Sequence, residues 1–178
     1  MSLGQRDPAA MSDAQRAVYD AIAAGPRGSV PRPFLAMLDS PELASAIGAL
    51  GETIRFRTEL PDRVREIAIC AAAAAFGSGY EWEYHERLAI QSGLDSQERA
   101  AVLSGTGTDL RPGEAAVVRY VFAAVRERRA PRSLLDAIVA AFGPRQAAEI
   151  TAIAGYYPML ALFLAAAGMD DPLPETVQ

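Results

Sequence analysis

Residues 66–85 read EIAICAAAAAFGSGYEWEYH, and this stretch decides the fold class. Its first half is apolar on every side, which predicts a helix that is buried nearly all round, with alanines that let a neighbouring helix approach closely. The glycine, serine and glycine at 77–79 end this helix, and we expect a second helix from Tyr80 to about Ser92, before Gly93. The two helices would form a hairpin, with the second folded back against the first.

The helical spacing of apolar residues continues on both sides of this hairpin, whereas no segment alternates as a strand does. We therefore expect an all-α, single-domain protein. Its N-terminal helix and connector would span 1–33, the helical domain 34–172 and a loose tail the remainder to 178. Capping residues and prolines mark further helix starts at Ser12, Ser40-Pro41, Pro61, Asp95 or Ser96, Arg111-Pro112 and Pro131.

The last predicted helix contains eighteen residues without a charge, Thr151 to Gly168. By length alone it is a candidate for a membrane span. Gly155 and Pro158 are expected to interrupt it, and Asp170 and Asp171 follow where basic anchors would be typical. We therefore interpret it as a core or subunit-interface helix, with no membrane as partner.

The composition excludes several classes of protein. The chain has 178 residues, a single cysteine and a single histidine, so an internal disulfide framework, a thiolate metal cage and a multi-histidine zinc site within one chain are all ruled out. Seventeen basic and 22 acidic residues give a net charge of −5, which argues against nucleic acid as partner. No basic start followed by an apolar run is present, so we expect a cytoplasmic protein.

One group of residues in the hairpin has the character of a chemical site. Glu81 and His85 are four residues apart, so they share one face of the second helix. Glu66 lies on the first helix, and Ser78 lies at the start of the second, where backbone N–H groups favour an anion. Two carboxylates and an imidazole in an apolar setting can move protons near neutral pH, because burial and neighbouring charges shift their pKa values.

Structural interpretations of the same residues remain open at this point. Glu81 and His85 could form an exposed helical pair, and Glu66 could complement the helix dipole. Cys70 is interpreted as an inert buried thiol. Three aromatic residues could belong to a core or interface, and they are Tyr80, Trp82 and Tyr84. Four nearby arginines could bind a substrate or lie on the surface, and they are Arg55, Arg57, Arg63 and Arg65.

The order Glu66, then Ser78-Gly-Tyr-Glu81-Trp-Glu-Tyr-His85, resembles the carboxymuconolactone decarboxylase family, a branch of the alkyl hydroperoxidase D-like superfamily of all-helical proteins. The similarity covers roughly Phe34 to Pro172. In the peroxidase branch a glutamate precedes a Cys-x-x-Cys pair and a histidine. Glu66 and His85 occupy the positions of that glutamate and histidine, whereas Ser78 and Glu81 occupy those of the two cysteines. Dithiol peroxidase chemistry is therefore disfavoured, because it needs an attacking and a resolving thiol.

The resemblance implies an enzyme that removes carbon dioxide from a small carboxylated lactone or similar ring acid in aromatic-compound degradation. His85 would be the acid–base residue, Glu66 would orient it or act as its proton partner, and Glu81 would tune the site. Three residues would contact the substrate, and they are Ser78, Tyr80 and Trp82. No metal or organic cofactor is expected, because the lactone carbonyl is itself the electron sink. Another proton-transfer or hydrolytic enzyme on the same fold, or a non-catalytic oligomeric binding protein, are the alternatives.

The apolar surface of the predicted helices exceeds what a compact monomer readily buries, so we expect a homo-oligomer. The family resemblance implies a trimer or a hexamer, with small-molecule sites near the subunit contacts.

Overall fold

The computed structural model describes residues 3–4 and 7–177. Within this part of the chain all regular structure is helical, and a single isolated bridge pairs Ser78 with Pro172. The predicted all-α class is confirmed.

Nine α-helices follow one another in the described residues. They are α1 (Asp13–Ala24), α2 (Arg32–Met37), α3 (Pro41–Phe56), α4 (Asp62–Phe76), α5 (Gly79–Gln91), α6 (Ser96–Ser104), α7 (Pro112–Arg126), α8 (Arg132–Phe142) and α9 (Pro144–Ala167). The predicted starts are confirmed, and side-chain caps explain two of them, whereas Ser40 makes no side-chain cap hydrogen bond. Ser12 accepts a hydrogen bond from the Gln15 N–H, and Asp95 accepts one from the Glu98 N–H.

Helix α9 runs without a break through Gly155 and Pro158, so the predicted interruption is wrong. Proline removes one backbone hydrogen bond from a helix. The buried residues on both sides, Tyr156, Tyr157 and Leu160, provide the packing that keeps the helix continuous. This helix is long and apolar enough to cross a membrane, with a mean hydropathy of 1.7, but half of its most apolar window is buried within the protein. That burial fits the core-helix interpretation.

The contacts divide the chain into two compact units. One comprises the described residues up to Arg57 together with Leu160–Asp170, and in it α1 and α2 pack against α3. The other comprises Thr58–Met159 and the described residues from Asp171 onward. In this second unit α4 packs against α5, α6 and α7, and α8 packs against α7. The predicted boundaries of domain and tail stay a prediction.

The α4–α5 hairpin has the form predicted from residues 66–85. All residues of α4 from Ile67 to Ala75 are buried. Gly77 adopts φ +96°, a left-handed conformation that ends α4 at little cost for glycine, and Ser78 caps α5.

The residues directly after α9 contact the start of α5. The Gly79 N–H donates to the carbonyl of Asp171 at 2.9 Å. A Cβ at position 79 would lie 2.2 Å from the Pro172 carbonyl oxygen, so only glycine permits this approach. The residues after α9 therefore pack directly against the start of α5.

Candidate active site

Helices α4 and α5 bring together the three residues that the sequence singled out, and we call Glu66, Glu81 and His85 the acid–imidazole cluster. His85 Nδ1 lies 2.7 Å from Glu66 Oε2, across the hairpin. His85 Nε2 lies 3.9 Å from Glu81 Oε2, one helical turn away. One carboxylate therefore faces each nitrogen of the imidazole.

The cluster is inside the protein. Glu66 and His85 are each 2% exposed, and Glu81 is 3% exposed. The alternative of an exposed Glu81–His85 pair is therefore wrong. Charges at such depth interact more strongly than on the surface, because little water screens them.

The two nitrogens of His85 have different surroundings. The 2.7 Å contact has the length of a charge-assisted hydrogen bond, in which the Nδ1–H donates to the Glu66 carboxylate. The 3.9 Å separation of Nε2 from Glu81 is too long for a hydrogen bond and leaves an electrostatic contact. Nδ1 is therefore the nitrogen that contacts Glu66, and Nε2 is the nitrogen that faces Glu81.

Aromatic rings pack on the imidazole from two elements. The Tyr157 ring of α9 stands nearly perpendicular to it, at 88° and 5.0 Å between centroids, and the Tyr84 ring lies at 5.1 Å. Tyr156 packs in turn on Tyr157 at 5.4 Å. The sequence analysis did not name Tyr157 as a site residue. Its only signal was a pair of adjacent tyrosines within an uncharged helix.

The three predicted substrate-contacting residues lie near the cluster along the chain, but in different settings. Ser78 is buried, and its Oγ accepts the Glu81 N–H at 3.4 Å, so it caps α5. Tyr80 is half-buried. Trp82 is buried, and its indole N–H has no acceptor among the described residues. Substrate contact by these three residues stays a prediction.

Trp82 also lines a cavity of about 390 Å³ in the second unit. The same walls also contain Gly79, Glu83, Glu86, Asp171, Pro172, Pro174 and Thr176. The three cluster residues are not part of this lining. Helix α5 therefore carries two separate faces, the acid–imidazole cluster and the cavity wall.

Arg65 connects the cluster to the surface. Its Nε lies 3.3 Å from Glu66 Oε1, the carboxylate oxygen that does not face His85, and its Nη2 lies 2.8 Å from Asp62 Oδ1. The other three arginines noted in the sequence have different neighbours. Arg63 binds Glu98 and Glu114, Arg57 lies 3.9 Å from Glu52, and Arg55 lies over the Phe56 ring.

Cys70 lies one turn after Glu66 on α4 and is buried. Burial raises the pKa of its thiol well above the ordinary value, and the charge of Glu66 raises it further. The thiol is therefore protonated at neutral pH, which fits the predicted inert cysteine.

The sequence is similar to a known protein family. Residues 41–127 match the model of the carboxymuconolactone decarboxylase family, and this segment contains the whole acid–imidazole cluster. Among curated proteins, none matches the sequence.

Solved structures with a similar fold include the following three. Two are the debrominase Bmp8, once as a cysteine-to-alanine variant in complex with 2,3,4-tribromopyrrole and once in the apo form. Each has a TM-score of 0.73 and 19% identity, over 98% of this chain and 92% of that chain. The third is an alkylhydroperoxidase AhpD core, an uncharacterized peroxidase-related protein from Ralstonia eutropha JMP134. It has a TM-score of 0.65 and 18% identity, over 96% of this chain and 90% of that chain.

Identities this low establish the fold alone, and the predicted AhpD-like helical fold is confirmed. The match to residues 41–127 bears out the resemblance inferred from the motif. Over residues 41–127 this chain is thus similar to the carboxymuconolactone decarboxylase family.

Proposed function

We propose that the protein is a cofactor-independent acid–base enzyme that decarboxylates a small carboxylated lactone or a related ring acid. The observation that carries the proposal is the buried imidazole of His85, with Glu66 at 2.7 Å on one nitrogen and Glu81 at 3.9 Å from the other. A buried histidine with a carboxylate on Nδ1 has the arrangement of a general acid–base residue.

The chemistry needs a proton donor and an electron sink. Loss of carbon dioxide breaks one carbon–carbon bond, and its electron pair passes into the conjugated lactone carbonyl. A proton must then reach the substrate carbon. Protonated His85 would deliver it from Nε2, and water would return a proton to the imidazole after product release.

The two carboxylates would have different tasks in this reaction. Glu66 holds the ring through Nδ1 and stabilises its charged form, because a buried carboxylate next to an imidazole favours the imidazolium. Glu81, at the longer distance, would act on the charge of the ring without fixing its orientation. The aromatic rings of Tyr84 and Tyr157 limit the access of water to the imidazole.

His85→Gln tests the proposal, with His85→Ala as a second variant. We expect both variants to fold and to lose turnover by about 10²- to 10⁴-fold, the usual contribution of general acid–base catalysis. Carbon dioxide release from a panel of carboxylated unsaturated lactones is the measurement. Glu83→Gln is the matched control, because Glu83 is exposed on the same helix and pairs with Arg87.

Unchanged carbon dioxide release in the His85 variants would contradict the proposal. A large loss of melting temperature in His85→Ala, with ligand binding intact, would instead favour the non-catalytic binding protein.

A second candidate is another proton-transfer or hydrolytic reaction on a related ring compound. The similarity to Bmp8, a debrominase solved with a brominated pyrrole, favours this alternative, because it places a different ring chemistry on the same fold. The same panel distinguishes the candidates when it is scored for carbon dioxide, ring opening and halide release. Disulfide cycling within one chain is excluded, since the sequence has one cysteine.

We further propose that the protein works as a cytoplasmic homo-oligomer, a trimer or a hexamer. The exposed side of α9 supports this, because Leu162 is 60% exposed on a helix without charges from Thr151 onward. Light scattering at micromolar concentration is expected to give a multiple of 18.9 kDa, and Leu162→Glu to shift the mass downward. A wild-type monomer would contradict the proposal.

A further inference from the structure

Arg65 combines two contacts of opposite character. On the inner side its Nε reaches Glu66 Oε1 at 3.3 Å, and the other oxygen of Glu66 reaches the imidazole. On the outer side its Nη2 reaches Asp62 Oδ1 at 2.8 Å. The Arg65 side chain is 15% exposed, whereas that of Asp62 is 79% exposed. The guanidinium therefore connects the exposed Asp62 to the buried Glu66, and Glu66 in turn contacts His85.

The outer contact is the exchangeable one. An ion pair between residues three apart at an exposed helix start contributes little to stability, because water competes for both partners. The inner contact involves a carboxylate that is almost fully buried and also holds His85. A ligand that competes for Arg65 would thus displace Asp62 and leave Glu66 in place.

The guanidinium selects a carboxylate as that ligand, because its planar N–H groups match the two oxygens of a carboxylate. Arg65 already contacts two carboxylates, those of Asp62 and Glu66. A carboxylate that takes the place of Asp62 keeps the number of carboxylates on the guanidinium at two. The planar guanidinium has five N–H donors. The described contacts of Arg65 use Nε and Nη2. A ligand carboxylate that replaces Asp62 at Nη2 could therefore accept a second hydrogen bond from Nη1.

We propose that Arg65 binds the carboxylate of the substrate and that this carboxylate replaces Asp62 on the guanidinium. The inference rests on the proposed function for its ligand class, a small ring acid. It deepens that function, because it assigns the cation that binds the acid.

Equilibrium binding of 2-furoate, a five-membered ring carboxylate, tests the inference, with neutral 2-furamide as the matched probe. Calorimetry gives the affinity. The imidazole resonance of the only histidine in the chain reports binding near the cluster without ambiguity. We expect furoate to bind and to shift the His85 signal, and furamide to do neither.

Arg65→Met is expected to weaken furoate binding about tenfold or more, since a charge-assisted hydrogen bond is lost. Arg65→Lys should retain part of the affinity. Asp62→Asn is expected to bind furoate severalfold more tightly, because the competing carboxylate is gone. Asp136→Asn is the control, since Asp136 is exposed and forms the equivalent 2.8 Å pair with Arg132.

The inference is overturned if furoate does not bind or binds no better than furamide. It is also overturned if Arg65→Met retains wild-type affinity, or if Asp62→Asn binds no more tightly than the wild type. Should Arg65→Met fail to fold, the exposed Asp62→Asn variant decides the question. If furoate binding depends on Arg65 but the protein decarboxylates no lactone, the proposed function is overturned and the inference stands.

Discussion

Two ionic clusters in the second unit share one plan, a basic residue between two carboxylates. In the acid–imidazole cluster, His85 lies between Glu66 and Glu81. In the other cluster, Arg63 lies between Glu98 and Glu114. The guanidinium of Arg63 approaches Glu114 at 2.9 Å and donates to the Gly93 carbonyl at 2.8 Å. The first cluster has one short contact and one long one, whereas the second is closed by short contacts.

The type of base decides what each arrangement can do. Hydrogen bonds with Glu114 and Glu98 raise the pKa of Arg63, and the bond with Arg63 lowers the pKa of Glu98. Since a guanidinium does not lose its proton in proteins, this cluster is a fixed tie between α4, α6 and α7. An imidazole changes its charge near neutral pH. The same order of charges therefore gives a fixed structural link in one cluster and, in the other, a base that can change its charge.

Removal of single carboxylates is expected to give the largest difference between the two clusters, measured as kcat/KM. Glu66→Gln should lower kcat/KM by about a hundredfold, in the range of acid–base effects, because the hydrogen bond that orients His85 loses its charge. Glu81→Gln should lower it less, since the contact is 3.9 Å long. Glu98→Gln should leave it unchanged. Equal losses of kcat/KM in the three variants would contradict a catalytic role for one cluster and a structural role for the other.

The Arg63 cluster should dominate the stability comparison. Arg63→Met is expected to reduce the free energy of unfolding by about 2 kcal/mol, less than a fully buried pair because Arg63 is partly exposed. The loss arises because Glu114, which is 3% exposed in its side chain, loses its short ionic partner. Urea unfolding measures it. Arg87→Met, which removes an exposed pair with Glu83, is the control, and an equal loss there would refute the structural role.

The smallest effect concerns acid sensitivity. The pKa of Glu98 in the folded protein lies below its ordinary value of 4.5, mainly through its bond to Arg63. The folded state therefore holds this proton less tightly than the unfolded state. Its contribution to stability is complete above about pH 4.5 and is lost as the pH falls through the lowered pKa. Glu98→Gln should be less stable than wild type at pH 7, and the two should converge in acid.

Urea midpoints from pH 7 to pH 3 measure this convergence. Parallel curves for the two proteins would show that Glu98 contributes nothing through its charge. His85→Gln, unfolded in the same series, tells whether the other cluster adds an acid dependence of its own.

The partners of Arg63 and Arg65 could not be predicted from the sequence. Two residues apart on a helix means about 200° of rotation, so the two side chains point to nearly opposite faces of α4. Arg63 contacts Glu98 of α6 and Glu114 of α7, whereas Arg65 contacts Glu66. The sequence could not tell which face carried which partner. Tyr157 was missed for a related reason, because its contact with His85 joins α9 to α5 across many intervening residues.

The sequence by itself determined the helices, their caps and the meeting of Glu66 with His85. These depend on local rules, namely the helical period, the break at 77–79 and the short hairpin that follows from it. Only the tertiary structure decided that the cluster is buried, that Arg65 joins it and that α9 continues through Pro158. Burial and side-chain pairing between distant helices depend on how separate elements pack, and that packing energy outweighs the local preference of a single proline.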